Sequence, residues 1–310
     1  MLKVFEAFSG YGSQSIALER LGIGHKVVGI SEIDKNAIKA YYALHSEDIK
    51  NYGDISKIKP EELPEFDLFT YSFPCQSISL SGKVEGIVRG GTRSGLLYEC
   101  ERIIEYCKPK YLLMENVKNL VGKKFKPQFD EWLKYLESLG YSNQWFILNA
   151  KDFGVPQSRE RVFCISALDK KVDLKIEKKK LNCFIYDILE KEVDDKLYFG
   201  FIPELKGAYM NGAYRGRKNE KGKYIQHLEF RDDCVSNTIT TVKKDNVLVI
   251  DGKLRYLTEK ECFRLMGLTD EEIDKIDKTV PKSKQCKLAG NSIVIPVLVE
   301  IFKPLFIEND

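Results

Sequence analysis

Phe69-Thr70-Tyr71-Ser72-Phe73-Pro74-Cys75-Gln76 is an apolar stretch that stops at a proline and a thiol, and Tyr111-Leu112-Leu113-Met114-Glu115-Asn116-Val117 is a second that runs into a carboxylic acid. Each has the composition of a buried strand followed by one reactive side chain. In an open α/β sheet the carboxyl ends of neighbouring strands border a common crevice, where ligands bind. A thiol and an acid on one such rim point to covalent chemistry. Polar Gln76, Ser77 and Ser79 follow Cys75, which favours an exposed turn over the buried position a free cysteine usually takes.

Outward from these stretches the first half alternates strand and helix patterns, the signature of a mostly parallel, doubly wound sheet. Lys3 to Phe8 reads as the first strand, Gln14 to Leu21 as a helix stopped by Gly22, and Val27 to Ile30 as the second strand. Helices are expected over Lys35–Leu44, Gly95–Cys107 and Phe129–Leu139, and later strands over Asn143–Leu148 and Arg161–Ile165. The rhythm fails near Leu168. Asp169 to Lys180 is a charged run, read as a solvated linker or surface helix, and the stretch to Asp251 alternates short β-like pieces with polar loops. A helical pattern resumes at Glu259, and Ala289-Gly290-Asn291-Ser292 leads into an apolar helix through Phe302.

The chain has 310 residues, 43% of them hydrophobic, and a net charge of +3, so it can bury a large core while any nucleic-acid surface must be local. The eight cysteines form no CxxC pair and the three histidines are far apart, which argues against a metal centre and for a reducing compartment. No membrane span or basic-then-apolar leader is visible, so a cytoplasmic location is expected.

Phe8-Ser9-Gly10-Tyr11-Gly12-Ser13 lies between the first strand and first helix, where glycines admit a ligand to the backbone and a helix start offers N–H donors. Glu32, ending the second strand, is placed to accept bonds from ribose hydroxyls, and Asp54 suits an adenine amine. A dinucleotide-binding dehydrogenase shares this layout, but Ser15 stands where its third glycine belongs.

Together the Pro74-Cys75-Gln76 and Glu115-Asn116-Val117 stretches, the glycine loop and Gln157-Ser158-Arg159-Glu160-Arg161 resemble the motifs of the DNA (cytosine-5)-methyltransferases of bacteria and their phages. Arg255-Tyr256-Leu257-Thr258, Arg264 to Gly267 and Gly290 to Ile293 match further family elements in order. The resemblance implies an S-adenosyl-L-methionine-dependent methyltransferase fold, with a catalytic and cofactor-binding domain over 1–180 completed by 283–310. A smaller, irregular β-rich target-recognition domain with its hinge would occupy 181–282. It implies Cys75 as nucleophile at carbon 6 of cytosine, Glu115 as the acid at nitrogen 3, Arg159 as organiser of the site, and Arg161 beside the base. A continuous strand would point Arg159 and Arg161 to one face.

Cofactor contacts are implied for Phe8, Ser9, Gly10, Tyr11, Gly12, Ser13, Glu32, Ile33, Asp34, Asp54, Ile55, Pro74, Leu96, Asn291 and Ser292. The glycine-rich run Ser77 to Ser94 reads as a lid, and the resemblance implies contacts with duplex DNA from Gln76, Ser81, Lys83, Arg89 and Arg93. Arg215 and Arg217 would meet DNA in the recognition region, with Thr238-Ile239 as a Thr-aliphatic pair near the flipped base. The expected protein is a monomer without metal, paired genetically with a restriction endonuclease. The tRNA-cytosine branch of the family shares the catalytic motifs, but the Cys-Phe-Thr triplet of that branch is missing here.

Overall fold

β1 (Leu2–Ala7) starts a six-stranded sheet whose order places the two stretches of interest side by side. The computed structural model describes residues 1–74, 93–220 and 222–307. The chain separates into two compact units, one of Met1–Leu148, Glu160–Glu177 and Leu298–Asp310, the other of Asn149–Arg159 and Lys178–Val297.

In the first unit the chain runs α1 (Ser13–Arg20), β2 (His25–Ser31), α2 (Lys35–Leu44), β3 (Leu68–Tyr71), α3 (Leu97–Cys107), β4 (Tyr111–Val117), α4 (Lys126–Ser138) and β5 (Tyr141–Asn149). After the two-residue β6 (Gln157–Ser158) of the second unit, β7 (Glu160–Leu168) completes the sheet, with order β2-β1-β3-β4-β7-β5. β2, β1, β3 and β4 are parallel and β7 runs antiparallel to β4. The order reverses between β1 and β3, so a crevice opens beyond the carboxyl ends of those two strands. The loop after β1 and the chain leading to Pro74 both start there.

Local signals explain the elements. Asp34 caps α2 by accepting from the N–H groups of Asn36 at 2.8 Å and Ala37 at 3.4 Å. Gly22, at φ +66°, turns the chain out of α1. Phe5, Phe69, Tyr71, Leu112, Met114 and Trp132 share one buried cluster, each contributing about 1.5–3 kcal/mol by leaving water.

In the second unit β8 (Tyr198–Phe201), β9 (Tyr209–Lys218), β10 (Tyr224–Arg231), β12 (Val247–Ile250) and β13 (Lys253–Tyr256) build an antiparallel sheet ordered β10-β9-β12-β13-β8, while β11 (Ser236–Asn237) pairs with β6. The stretch expected to be irregular and β-rich carries a five-stranded antiparallel sheet with a register shift at Leu254–Arg255. Asp251 and Gly252, at φ +52° and +77°, make the two-residue turn joining β12 to β13, a geometry that asparagine, aspartate and glycine tolerate. Helices α5 (Glu259–Arg264), α6 (Asp270–Asp277), α7 (Lys282–Gly290) and α8 (Ile295–Phe306) follow, the last passing back into the first unit.

Arg255 and Glu261 hold the start of α5. Both are buried, joined by two hydrogen bonds of 2.8 Å, and Glu261 also accepts from the Thr258 N–H at 2.9 Å. Removing one partner strands a buried charge. Arg255→Ala should therefore lower stability by about 3–5 kcal/mol, measured by urea unfolding; an unchanged midpoint would refute the pairing.

Candidate active site

The loop after β1 is wound by three left-handed residues, Phe8 at φ +55°, Gly10 at +59° and Gly12 at +81°. Glycine tolerates this and phenylalanine does not, so the Phe8 backbone is held under strain. The Phe8 N–H donates to the Ser31 carbonyl at 2.7 Å, and that of Gly12 to the Ser9 carbonyl at 2.9 Å. A Cβ at Gly12 would lie 2.3 Å from Nε2 of His45. Only glycine fits.

Glu6 of β1 underpins this loop. Fully buried, it accepts from the Ser15 N–H at 3.1 Å, the Ser15 hydroxyl at 2.9 Å and the Tyr41 hydroxyl at 2.8 Å. Burial raises its carboxyl above the usual range, against the lowering effects of His45 and of the bonds from Tyr41 and Ser15. Nε2 of His45 stands 3.1 Å from the Tyr11 carbonyl. None of these side-chain contacts is legible in the sequence pattern, although a carboxylate amid Val4-Phe5-Glu6-Ala7-Phe8 is a visible signal.

At the end of β2, Glu32 reaches the same loop. Its Oε2 accepts from the Gly10 N–H at 2.9 Å and its Oε1 from Ile33 and Asp34 N–H at 2.8 and 2.9 Å. Asn51 fastens the Glu32 backbone, donating to its carbonyl at 3.0 Å and accepting from its N–H at 3.2 Å. Ile33 is 69% exposed, an apolar face left in water beside this carboxylate. Asp54 is held below the ordinary carboxylate range by hydrogen bonds from the hydroxyl and N–H of Ser56, and Ile55 is buried behind it.

The second cluster forms where β3 and β4 end. Tyr71 pairs with Met114, and two residues on, the buried Asn116 amide donates to the Phe73 carbonyl at 3.1 Å. β4 continues to Val117, so Glu115 and Asn116 lie within the strand rather than just beyond it. The antiparallel partner β7 sustains that extension, pairing Glu115 with Phe163 and Val117 with Arg161. Arg161 Nε stands 3.3 Å from Glu115 Oε1, with both side chains largely enclosed. Pro74 follows Phe73 at the edge of the described chain. Cys75, Gln76, Ser81, Lys83 and Arg89 lie outside the described residues, as do the Ser77–Ser94 lid up to residue 92 and the Arg93 side chain. Leu96 is half-buried at the start of α3.

Arg159 and Arg161 do not share a strand face. The chain leaves strand geometry at Arg159, whose N–H donates to Asn149 Oδ1 at 3.0 Å. The Arg159 guanidinium is buried in the second unit and donates to three carbonyls, Ile239 at 2.9 Å, Gly290 at 3.1 Å and Ser292 at 2.7 Å. Gln157 adds to this clamp, accepting from the Ile239 N–H at 2.9 Å and donating to the Leu265 carbonyl at 2.6 Å. Thr238 donates to the Ser158 carbonyl at 2.8 Å, so Thr238 and Ile239 are both bonded to the Gln157–Arg159 segment. Asn291 is exposed, while the Ser292 hydroxyl is buried and donates to the Leu288 carbonyl at 2.8 Å. Arg215 and Arg217 lie on β9, paired with Asp245 at 3.3 Å and Glu229 at 2.6 Å.

Among the described residues no His, Cys, Asp or Glu group is arranged to hold a metal ion, and no single helix is long and apolar enough to cross a membrane. Similar folds occur among solved structures. Schizosaccharomyces pombe (S. pombe) Dnmt2 methyltransferase aligns with TM-score 0.72 at 21% identity, covering 98% of both chains. The Entamoeba histolytica methyltransferase EhMeth aligns with TM-score 0.77 at 19% identity, covering 100% of this chain and 99% of its own. By sequence, the type II methyltransferase M2.ScrFI of Lactococcus lactis subsp. cremoris is 40% identical over 99% of both proteins. The orphan methyltransferase M.SssI of Spiroplasma monobiae is 31% identical over 97% of this chain and 96% of its own. The profile of C-5 cytosine-specific DNA methylases matches residues 2–306. The chain belongs to that family, the S-adenosyl-L-methionine-dependent DNA (cytosine-5)-methyltransferases.

Proposed function

We propose that this enzyme methylates a cytosine extruded from duplex DNA through a covalent adduct on Cys75, with Glu115 as acid. The observation that supports this most is the enclosed Glu115–Arg161 pair at the carboxyl end of β4, tied through Asn116 to the chain that leads into Pro74-Cys75.

Carbon 5 of cytosine is a weak nucleophile. A base in the duplex is also out of reach, and turning it out costs a few kcal/mol. Addition of the Cys75 thiolate to carbon 6 breaks the 5,6 double bond and drives electron density toward nitrogen 3. The Glu115 carboxyl donates its proton to that nitrogen, and Arg161 stabilises the carboxylate left behind. Carbon 5, now electron-rich, takes the methyl group. Loss of the carbon 5 proton to solvent then restores the double bond and expels the thiolate, and nitrogen 3 returns its proton to the Glu115 carboxylate. The cofactor, when bound, supplies an electrophilic methyl on a sulfonium centre.

The loop after β1 suits that cofactor. The Ser9 hydroxyl is buried without a hydrogen-bond partner among the described residues, Glu32 offers a carboxylate for ribose hydroxyls, and exposed Ile33 offers a face for adenine. Asp34, Asp54, Ile55, Pro74, Leu96 and the backbone from Phe8 to Ser13 complete our assignment. We assign DNA recognition to the sheet of the second unit, where Arg215 and Arg217 carry positive charge on β9. Exchange of their acidic partners for phosphates would free them for contact. The same reading takes the enzyme as a cytoplasmic monomer. A type II relative supports a paired restriction endonuclease, and an orphan relative supports solitary action.

Four outcomes test this reading. Cys75→Ser should abolish transfer of labelled methyl to duplex DNA while S-adenosylmethionine binds within about twofold of wild type by calorimetry, since a hydroxyl cannot replace the thiolate; normal turnover would remove Cys75 from the chemistry. Arg161→Ala should lower kcat by about 10²-fold and leave cofactor affinity alone; an unchanged kcat would deny it a part. Glu32→Ala should weaken cofactor binding by about tenfold, one charged hydrogen bond's worth, and equal affinity would displace Glu32 from the pocket. Run on tRNA in parallel, the methyl-transfer assay should give no product; preferential tRNA labelling would reverse the substrate assignment.

A further inference from the structure

Helices α5 and α7 bring two thiols together in the second unit. Cys262 and Cys286, 24 residues apart in sequence, hold their Sγ atoms 3.6 Å apart, with Cys262 donating. Cys262 is buried and Cys286 half-buried. Both line a small, partly open cleft of about 20 Å³ whose walls include Thr240, Lys243 and Tyr256. The cleft gives a small polar oxidant a path to the more exposed thiol.

Other cysteines differ. Cys100 and Cys164 are sealed in the core of the first unit, where burial pushes their thiols up, that of Cys164 to about 12. Such groups are inert packing atoms. At Cys286 the hydrogen bond from Cys262 draws the thiol below its usual range, with help from Lys243, against burial and the nearby Glu259 carboxylate. Cys262 is raised, first by the same hydrogen bond and then by burial. One sulfur is thus the better thiolate and its neighbour keeps a proton, the division of labour of an attacking and a resolving thiol.

We propose that Cys262 and Cys286 form a peroxide-reactive dithiol that closes to a disulfide joining α5 to α7. The Cys286 thiolate attacks one oxygen of hydrogen peroxide, the O–O bond breaks, and sulfenic acid and hydroxide form. The Cys262 sulfur then attacks the sulfenic sulfur; its proton and the departing hydroxyl leave as water. Overall two thiols are oxidised to one disulfide and one peroxide is reduced to two waters. The sulfurs must close from 3.6 Å to about 2.05 Å for the bond to form. The bond forms on α7, which runs into Gly290, where Thr240 packs so closely that a Cβ would lie 2.8 Å from its carbonyl carbon. Arg159 holds the carbonyls of Gly290 and Ser292. Closure stiffens the segment carrying Asn291 and Ser292. In a reducing cell such a bond is transient and reports oxidant exposure.

The test is a peptide map of the full chain, reduced, desalted, exposed to hydrogen peroxide, alkylated in denaturant and analysed by mass spectrometry. A peptide pair linked through Cys262 and Cys286, two hydrogens lighter than its parts and separated by dithiothreitol, is expected. Cys262→Ser should leave Cys286 as a sulfenic acid that dimedone traps, and Cys286→Ser should leave Cys262 alkylated. In wild type alone, separate alkylation of both cysteines, or Cys286 carried to sulfinic acid with Cys262 still free, would overturn the proposal. The readout is a mass, so it is independent of the role assigned to Cys75.

Discussion

The hydrogen bond from the Asn116 amide to the Phe73 carbonyl, 3.1 Å long and buried, is the constraint on which the reading of the active site turns. Parallel pairing of Tyr71 with Met114 sets the two strands in register, but register ends where β3 ends. Beyond it a side chain holds the departing chain against its neighbour. An asparagine amide does so with a bond that lies out of water, where leaving the carbonyl unpaired costs about 1–3 kcal/mol. Asn116 sits next to Glu115 in β4, so the acid and the strand that leads to Pro74 are positioned by adjacent residues. Arg161, entering from the antiparallel β7, then fixes the acid laterally.

In the second unit buried polar groups likewise tie distant segments together. Gln157 and Arg159 bind backbone groups of Ile239, Leu265, Gly290 and Ser292. Those residues are far apart in sequence, and each carbonyl would be costly if unpaired. Arg255 and Glu261 act likewise at the mouth of α5. Arg159 is in these terms a positioning residue, whereas Arg161 touches the acid itself. The two arginines of the QxRxR stretch have different work.

Much of this was legible in the sequence. Alternating strand and helix patterns point to the mostly parallel sheet, the helix over Lys35–Leu44 has the bounds its pattern predicts, and the family, the cofactor class and the reaction follow from motifs that the profile and the relatives match. Less legible was anything set by distant partners. Glu115 reads as the residue past a strand because it is polar; it lies within β4 because Phe163 of β7 pairs with it. Arg159 reads as strand by alternation, yet side-chain bonds to remote carbonyls bend the chain there. The sheet of the second unit was read as short pieces because glycines and charges interrupt its strands, although Asp251-Gly252 between two apolar runs was a hairpin signal. The support of Glu6 beneath the glycine loop and the meeting of Cys262 with Cys286 are products of tertiary packing that no local pattern announces.

The central claim is that the sulfur beyond Pro74 bonds to the target cytosine while Glu115 serves the ring. Duplex DNA carrying 5-fluorocytosine tests it most directly, because fluorine at carbon 5 cannot leave as a proton does and the adduct persists. In the presence of S-adenosylmethionine the account predicts a denaturant-resistant protein–DNA complex whose cross-linked peptide maps to Cys75. A cross-link mapped to any other residue, or release of methylated product with no adduct, would contradict it.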